Sequence, residues 1–247
     1  MKVLNEVRHQ IDHMREAMRH VLRPAIRVRL ATVLVDANTL AGWQSLDLGL
    51  TTAAWEHYDA ARLAAREAES PGLYAYACAA QSVVLVDIGD ASGAVELTEH
   101  ANKIGKCEAP PLLRAWLAAA HGEAAAAKGR ARESMEAFDE ADRTMPDEPD
   151  PAETPYLVFG RTHLARWRGN ALARLDSQSA VDVLSRALAQ LDPSFTRAEV
   201  AVRADLARAF ATTGERAAAR EQAAKARELA EQIGSIRHRR RLAALTI

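Results

Sequence analysis

The sequence predicts an all-α fold: a right-handed superhelical solenoid of about five helical hairpins behind an N-terminal linker or capping helix. Three observations carry that expectation. The 247 residues are 49% hydrophobic but only 5% aromatic, and alanine is abundant, which suits close-packed helices better than a β-sandwich. A glycine frame recurs: Gly49, Gly89, Gly129 and Gly214 are each followed by small residues five and twelve positions on. Prolines with a capping residue before them punctuate the same units from the other side.

The frame has a physical reason. A glycine releases the chain from one helix because it tolerates positive φ without a Cβ clash. Small side chains five and twelve residues later lie two turns apart on one face of the next helix and let its backbone approach the preceding one. The small pairs are Ala54 and Ala61, Ala94 and Ala101, Ser134 and Ala141, Ala180 and Ala187, and Ala219 and Ala226. In the fourth unit Leu175 stands where the glycine would be, so the origins fall at 49, 89, 129, 175 and 214, with spacings of 40, 40, 46 and 39. Nine residues after each origin sit Tyr58, Thr98, Phe138, Leu184 and Ala223, mostly groups large enough to fill the space between helices.

Taken in order, residues 1–23 read as a linker or capping helix, with Val3, Leu4, Val7, Ile11, Met14, Met18 and Leu22 at near-helical spacing. Residues 24–234 hold the repeats. Pro24 and Pro110-Pro111 open the first and third units, and Ser70-Pro71, Thr154-Pro155 and Asp192-Pro193 open the others. MPDEPDPAETP, between the third and fourth units, reads as a mobile acidic loop that lengthens the spacing there. Residues 235–247 form a basic cap around Arg237, Arg239, Arg240 and Arg241, expected to be solvated and to interact with the preceding helix end.

A formal net charge of −1 argues against nucleic-acid binding by this chain alone, since phosphate neutralisation needs an excess of Lys and Arg. Cys78 and Cys107 have no CxxC spacing, so neither a disulfide framework nor a zinc knuckle is expected. With no signal-peptide core at the N-terminus and no uninterrupted apolar run of spanning length, a cytoplasmic location without membrane contact is expected. His9 and His13 could share a metal across one helical turn, but a closed site needs more ligands, and an exposed polar face is the expectation. HExxH, GxxxxGK[ST] and GxSxG are absent from the sequence. No catalytic residue, metal site or cofactor is expected.

The inner faces of the first helices of each hairpin are the candidate site. One helical stripe, counted back from each origin, collects Asp36, Thr39 and Trp43, then Tyr76, then Trp116 and Glu123, then Arg208. Three aromatics among small residues and a few charges would make an apolar pocket with polar anchors, and the same rings could equally serve as core.

The frame resembles the tetratricopeptide (TPR) repeat, in which a glycine near the end of the first helix precedes a helix-B alanine by twelve residues. The units are longer than usual for that repeat, and HEAT-like or irregular hairpins are the alternative. A more specific resemblance runs from about Ala25 to Leu245. AGWQSLDLG, ALAQLDPSF and IGSIRHRRRL look like the C-terminal tetratricopeptide-like region of actinobacterial XRE-type helix-turn-helix transcriptional regulators. That resemblance implies a region that senses a peptide or small-molecule effector and self-associates, as a homodimer. DNA would be read only through an attached helix-turn-helix segment, which the residues before Pro24 do not supply. A passive scaffold that dimerises or docks another protein is the alternative.

Overall fold

The computed structural model describes residues 2–246. Twelve helices and no strand occur among them: α1 (Lys2–His20), α2 (Pro24–Asp47), α3 (Thr51–Glu67), α4 (Pro71–Ile88), α5 (Ala91–Glu108), α6 (Pro111–Ala127), α7 (Ala131–Thr144), α8 (Arg161–Leu175), α9 (Ser177–Ala189), α10 (Thr196–Thr213), α11 (Arg216–Gln232) and α12 (Ile236–Ala243). They form five hairpins, α2–α3, α4–α5, α6–α7, α8–α9 and α10–α11. The first helices of the hairpins pack in series, α2 on α4, α4 on α6, α6 on α8 and α8 on α10, and make one layer. The second helices make the other.

The glycine frame does what its chemistry requires. Gly49, Gly89, Gly129 and Gly214 all have φ between +72° and +88°. At Gly89 the left-handed residue lets Asp90 donate its N–H back to the Leu85 carbonyl at 2.9 Å, closing the helix end. All ten small residues five and twelve positions after the origins are buried. The larger groups at nine have a complement that the frame did not include, a glycine inside the first helix. A Cβ on Gly42 would lie 3.0 Å from the Tyr58 ring, one on Gly122 2.8 Å from Phe138, and one on Gly169 2.4 Å from Leu184. Gly42 and Gly122 also precede small residues, Ala54 and Ser134, by twelve, and unlike the turn glycines they lie inside the first helix.

Ser70 caps α4 by accepting from the Leu73 N–H, and Pro24, Pro71 and Pro111 open their helices as expected. Two other boundaries shift. After Asp192-Pro193 the chain first makes a turn, in which the Asp192 carboxylate accepts from the Ser194 N–H at 2.8 Å, and α10 starts only at Thr196. After Thr154-Pro155 the chain runs on without helix to Gly160, and α8 starts at Arg161. The fourth unit needs no turn glycine because Asp176 alone joins α8 to α9; its carboxylate accepts from the Ser179 N–H and hydroxyl.

The helix α4 is long and apolar enough, by length and composition, to cross a membrane, but more than half of it is buried against its neighbours as the inner helix of the second unit. Cys78 on that helix is buried and Cys107 exposed, and both are free thiols.

Candidate interaction surface on the inner face

The inner layer is filled in two different ways. Its middle is aromatic. Tyr76 on α4 and Trp116 on α6 have ring centroids 5.0 Å apart, and Trp116 lies 5.9 Å from Trp167 on α8. The segment after the acidic loop enters this row. Tyr156 stacks on Tyr76 at 4.8 Å and Phe159 on Trp167 at 5.4 Å. Asp147 to Glu153 face solvent, as their charges require, whereas Met145, Thr154 and Phe159 are buried. The exposed part of that loop is therefore the acidic one; its flanks are core. Leu157 to Gly160 run on without helix, with Phe159 buried against the row and Val158 exposed.

The other part is ionic and is built around α12. This helix lies against α10 and α11 and also reaches α2. Ser235 caps α12 while its hydroxyl donates to Asp47 at 2.5 Å, and Arg197 on α10 pairs with the same carboxylate. Arg237 forks onto Asp87 at the end of α4, at 2.6 and 2.7 Å. Arg241 pairs with the buried Asp205 at 2.6 Å. The Arg240 guanidinium and the Ile236 side chain approach Gly49. Cations thus meet the C-terminal ends of α2 and α4, where the helix dipoles are negative. The cap was expected to be solvated and local. Instead, it ties the fifth unit to the first and second.

Beneath α12, the Glu123 Oε1, Arg166 Nε and His238 Nδ1 atoms are buried without hydrogen-bond partners. Burial raises the Glu123 carboxyl to about 7, against opposing pulls from arginines, Arg174 foremost. Burial lowers the His238 imidazole to about 3, helped by Arg241 and Arg237. Arg208 is also lowered, by burial first and then by repulsion from Arg241 and Arg174.

The seven residues of the predicted stripe therefore divide. Tyr76 and Trp116 are buried in the aromatic row, and Thr39 is buried with its hydroxyl donating to the Val35 carbonyl at 2.8 Å. Glu123 and Arg208 come together around Asp205, Arg174 and Arg241. Trp43 is 40% exposed, with the Arg197 guanidinium 5.3 Å from its ring centre. Asp36 is exposed on α2, where desolvation raises its carboxyl. The stripe missed Trp167, Tyr156 and Phe159, and every acid that receives α12. Trp167 escaped because it falls between positions 165 and 169 of the stripe counted back from Leu175, on another line of α8.

Among the described residues, Glu99, His121 and Glu133 bring three possible ligand atoms within 4.8 Å of one another. The Arg130 guanidinium sits against both glutamates, at 3.9 and 3.0 Å, so the group is an ion-pair cluster with its cation in place. His9 and His13 stack at 4.1 Å on the exposed face of α1.

No protein-family model matches the chain, and no curated protein does. A solved structure shares the fold, and together with the twelve helices in five hairpins it defines the class: an all-helical solenoid of helical-hairpin repeats. BtubC (BKLC) from P. vanneervenii superposes with a TM-score of 0.56 at 16% identity, covering 94% of this chain and 91% of that one. A point variant of a putative kinesin light chain from Podosopora anserina, with nearly identical TPR-like repeats, overlaps at a TM-score of 0.48. There the identity is 18%, over 80% of this chain and 95% of the other.

Proposed function

We propose that the chain is a protein-interaction domain, the effector-sensing and self-associating repeat region of a bacterial transcriptional regulator, acting in the cytoplasm and without catalysis. One observation carries the reading. The inner face already takes two aromatic side chains of a non-helical segment, Tyr156 against Tyr76 and Phe159 against Trp167. A surface that takes one apolar, aromatic strip of chain has the shape and chemistry to take another of the same kind. Trp43, half exposed beside Arg197, would form an open edge for a ligand, and Glu123 and Arg208 would supply the polar groups that orient it.

The mechanism is a population shift. The pairs Asp47–Arg197 and Asp87–Arg237 fix how the first and second units stand relative to the last, so a ligand that prefers another arrangement works against them. An attached helix-turn-helix segment would read the change, with DNA contacted by that segment alone.

Thermal shift of the full chain against a library of short synthetic peptides with two aromatics three residues apart, together with cytosolic small-molecule fractions, tests the reading. A stabilising hit whose effect disappears in Trp43→Ala and Arg208→Ala supports it. The absence of any response leaves the passive scaffold as the better account.

A further inference from the structure

The helix α2 is apolar on two sides. One side carries Ala31, Leu34, Val35 and Ala41 into the core. The opposite side carries Ile26, Val33 and Leu40, spaced by seven residues and exposed at 42%, 52% and 43%. A helix that is apolar all round is normally covered all round, and a repeat of seven is the spacing that keeps one seam facing a second helix. Between those residues, one step round the same face, stand Arg29 and Asp36. Neither pairs with any group of its own chain among the described residues.

We infer that this stripe is a two-fold interface with a second copy of the chain, in which α2 meets α2 antiparallel about an axis beside Val33. The positions are self-complementary. Rotation about that axis sets Val33 against Val33 of the second copy and Ile26 against Leu40 of the second copy. Arg29 lies four residues before the axis and Asp36 three after it, so each arginine faces the aspartate of the other copy. The parallel arrangement would instead oppose Arg29 to Arg29 and Asp36 to Asp36, two like-charge contacts. The desolvated carboxyl of Asp36, raised with no cation beside it, gains the partner it lacks. From Ile26 to Leu40 the seam is about 21 Å long, one helix pair, which suits a reversible dimer better than an obligate one. The inference rests on the self-associating part of the proposed function; Asp36 at the seam's charged edge also lies near Tyr76 and Tyr156 of the aromatic row, whereas Val33 and Leu40 are not packed into the core around that row.

Sedimentation velocity of the full chain over the micromolar range is the test, with helicity by circular dichroism confirming that each variant folds. The wild type is expected to dimerise reversibly, and Val33→Glu or Leu40→Glu to weaken the dimer by at least about tenfold. Arg29→Asp and Asp36→Arg should each weaken it as homodimers, because each sets like charges opposite one another. Mixed together, those two variants should recover a heterodimer, since both cross-pairs are then opposite. A wild type that stays monomeric overturns the inference, as does a dimer indifferent to Val33→Glu. A mixture that fails to recover overturns the antiparallel register. Peptide-induced thermal shift of the wild type separates the two readings: a response in a wild type that stays monomeric sinks only the interface, and a wild-type dimer with no response sinks only the peptide site.

Discussion

The inner layer of this array is held by apolar contact in its middle and by ion pairs at the end where α12 crosses it. The aromatic row joins Tyr76, Trp116 and Trp167 on successive inner helices to Tyr156 and Phe159 from one loop. The ionic part joins Asp47, Asp87 and Asp205 to arginines that, in two of the three pairs, stand 150 residues away in sequence. Apolar contact is non-directional and tolerates repacking, whereas a buried ion pair fails when either member is lost. The middle should therefore set most of the stability, and the end should set which arrangement the array adopts.

The largest expected effect comes from emptying the aromatic row. Trp116 is buried and touches rings on two other elements. Trp116→Ala should cost about 3–5 kcal/mol in denaturant unfolding, through lost transfer energy and the cavity left behind. A loss under about 1 kcal/mol would show that the row is loosely packed and would remove the distinction between the two parts.

Next comes Asp205, which is buried beneath Arg241. Asp205→Asn keeps the shape and removes the charge, leaving the arginine half-enclosed without a counter-ion, and should cost about 2 kcal/mol. It should also loosen α12, raising hydrogen exchange across Ile236–Ala243 while α4 and α6 stay protected. Uniform exchange along the chain would mean that α12 is no separate device.

The two parts differ equally in how far they could be read from sequence. Hairpins, turn glycines and small residues recur at fixed offsets because they depend on neighbours along one helix or across one turn. Tyr58 and Phe138 were visible as space-fillers for the same reason, although the glycines that receive them, Gly42 and Gly122, were not matched to them. The aromatic row was half legible: Tyr76 and Trp116 fall on the stripe, but Tyr156 and Phe159 arrive from a loop with no period. The ionic part was not legible at all. Nothing in the local sequence around Asp47 or Asp87 distinguishes them from solvent-facing helix ends until Arg197 and Arg237 are placed beside them.

Acidity sharpens the contrast without removing any packing. Glu123 is raised from 4.5 to about 7 in the folded chain, so the fold favours its protonated form. Its contribution to stability is full below about pH 4.5 and is lost as the pH rises through 7. His238 is lowered from 6.5 to about 3, so the fold favours the neutral ring. That contribution is full above about pH 6.5 and is lost as the pH falls toward 3. Between about pH 4.5 and 6.5 the two oppose each other. Relative to wild type, Glu123→Gln should lose melting temperature more steeply on acidification below about pH 6.5, and His238→Gln should gain it between about pH 7 and 4.5. Parallel melting curves for all three proteins would show that neither group is enclosed by α12.

The smallest expected effect on stability is at the open edge, and it carries the most weight for function. Trp43 is 40% exposed and its ring meets a guanidinium more than a neighbouring side-chain core. Trp43→Ala should change unfolding free energy by less than about 1 kcal/mol, the scale of one exposed cation–π contact. The same change at Trp116 should be several times costlier, so the ratio of the two separates a ring kept for packing from one left available to a partner. If Trp43→Ala proves as damaging as Trp116→Ala, then the edge is core, and the surface offered to a ligand shrinks to the polar groups under α12.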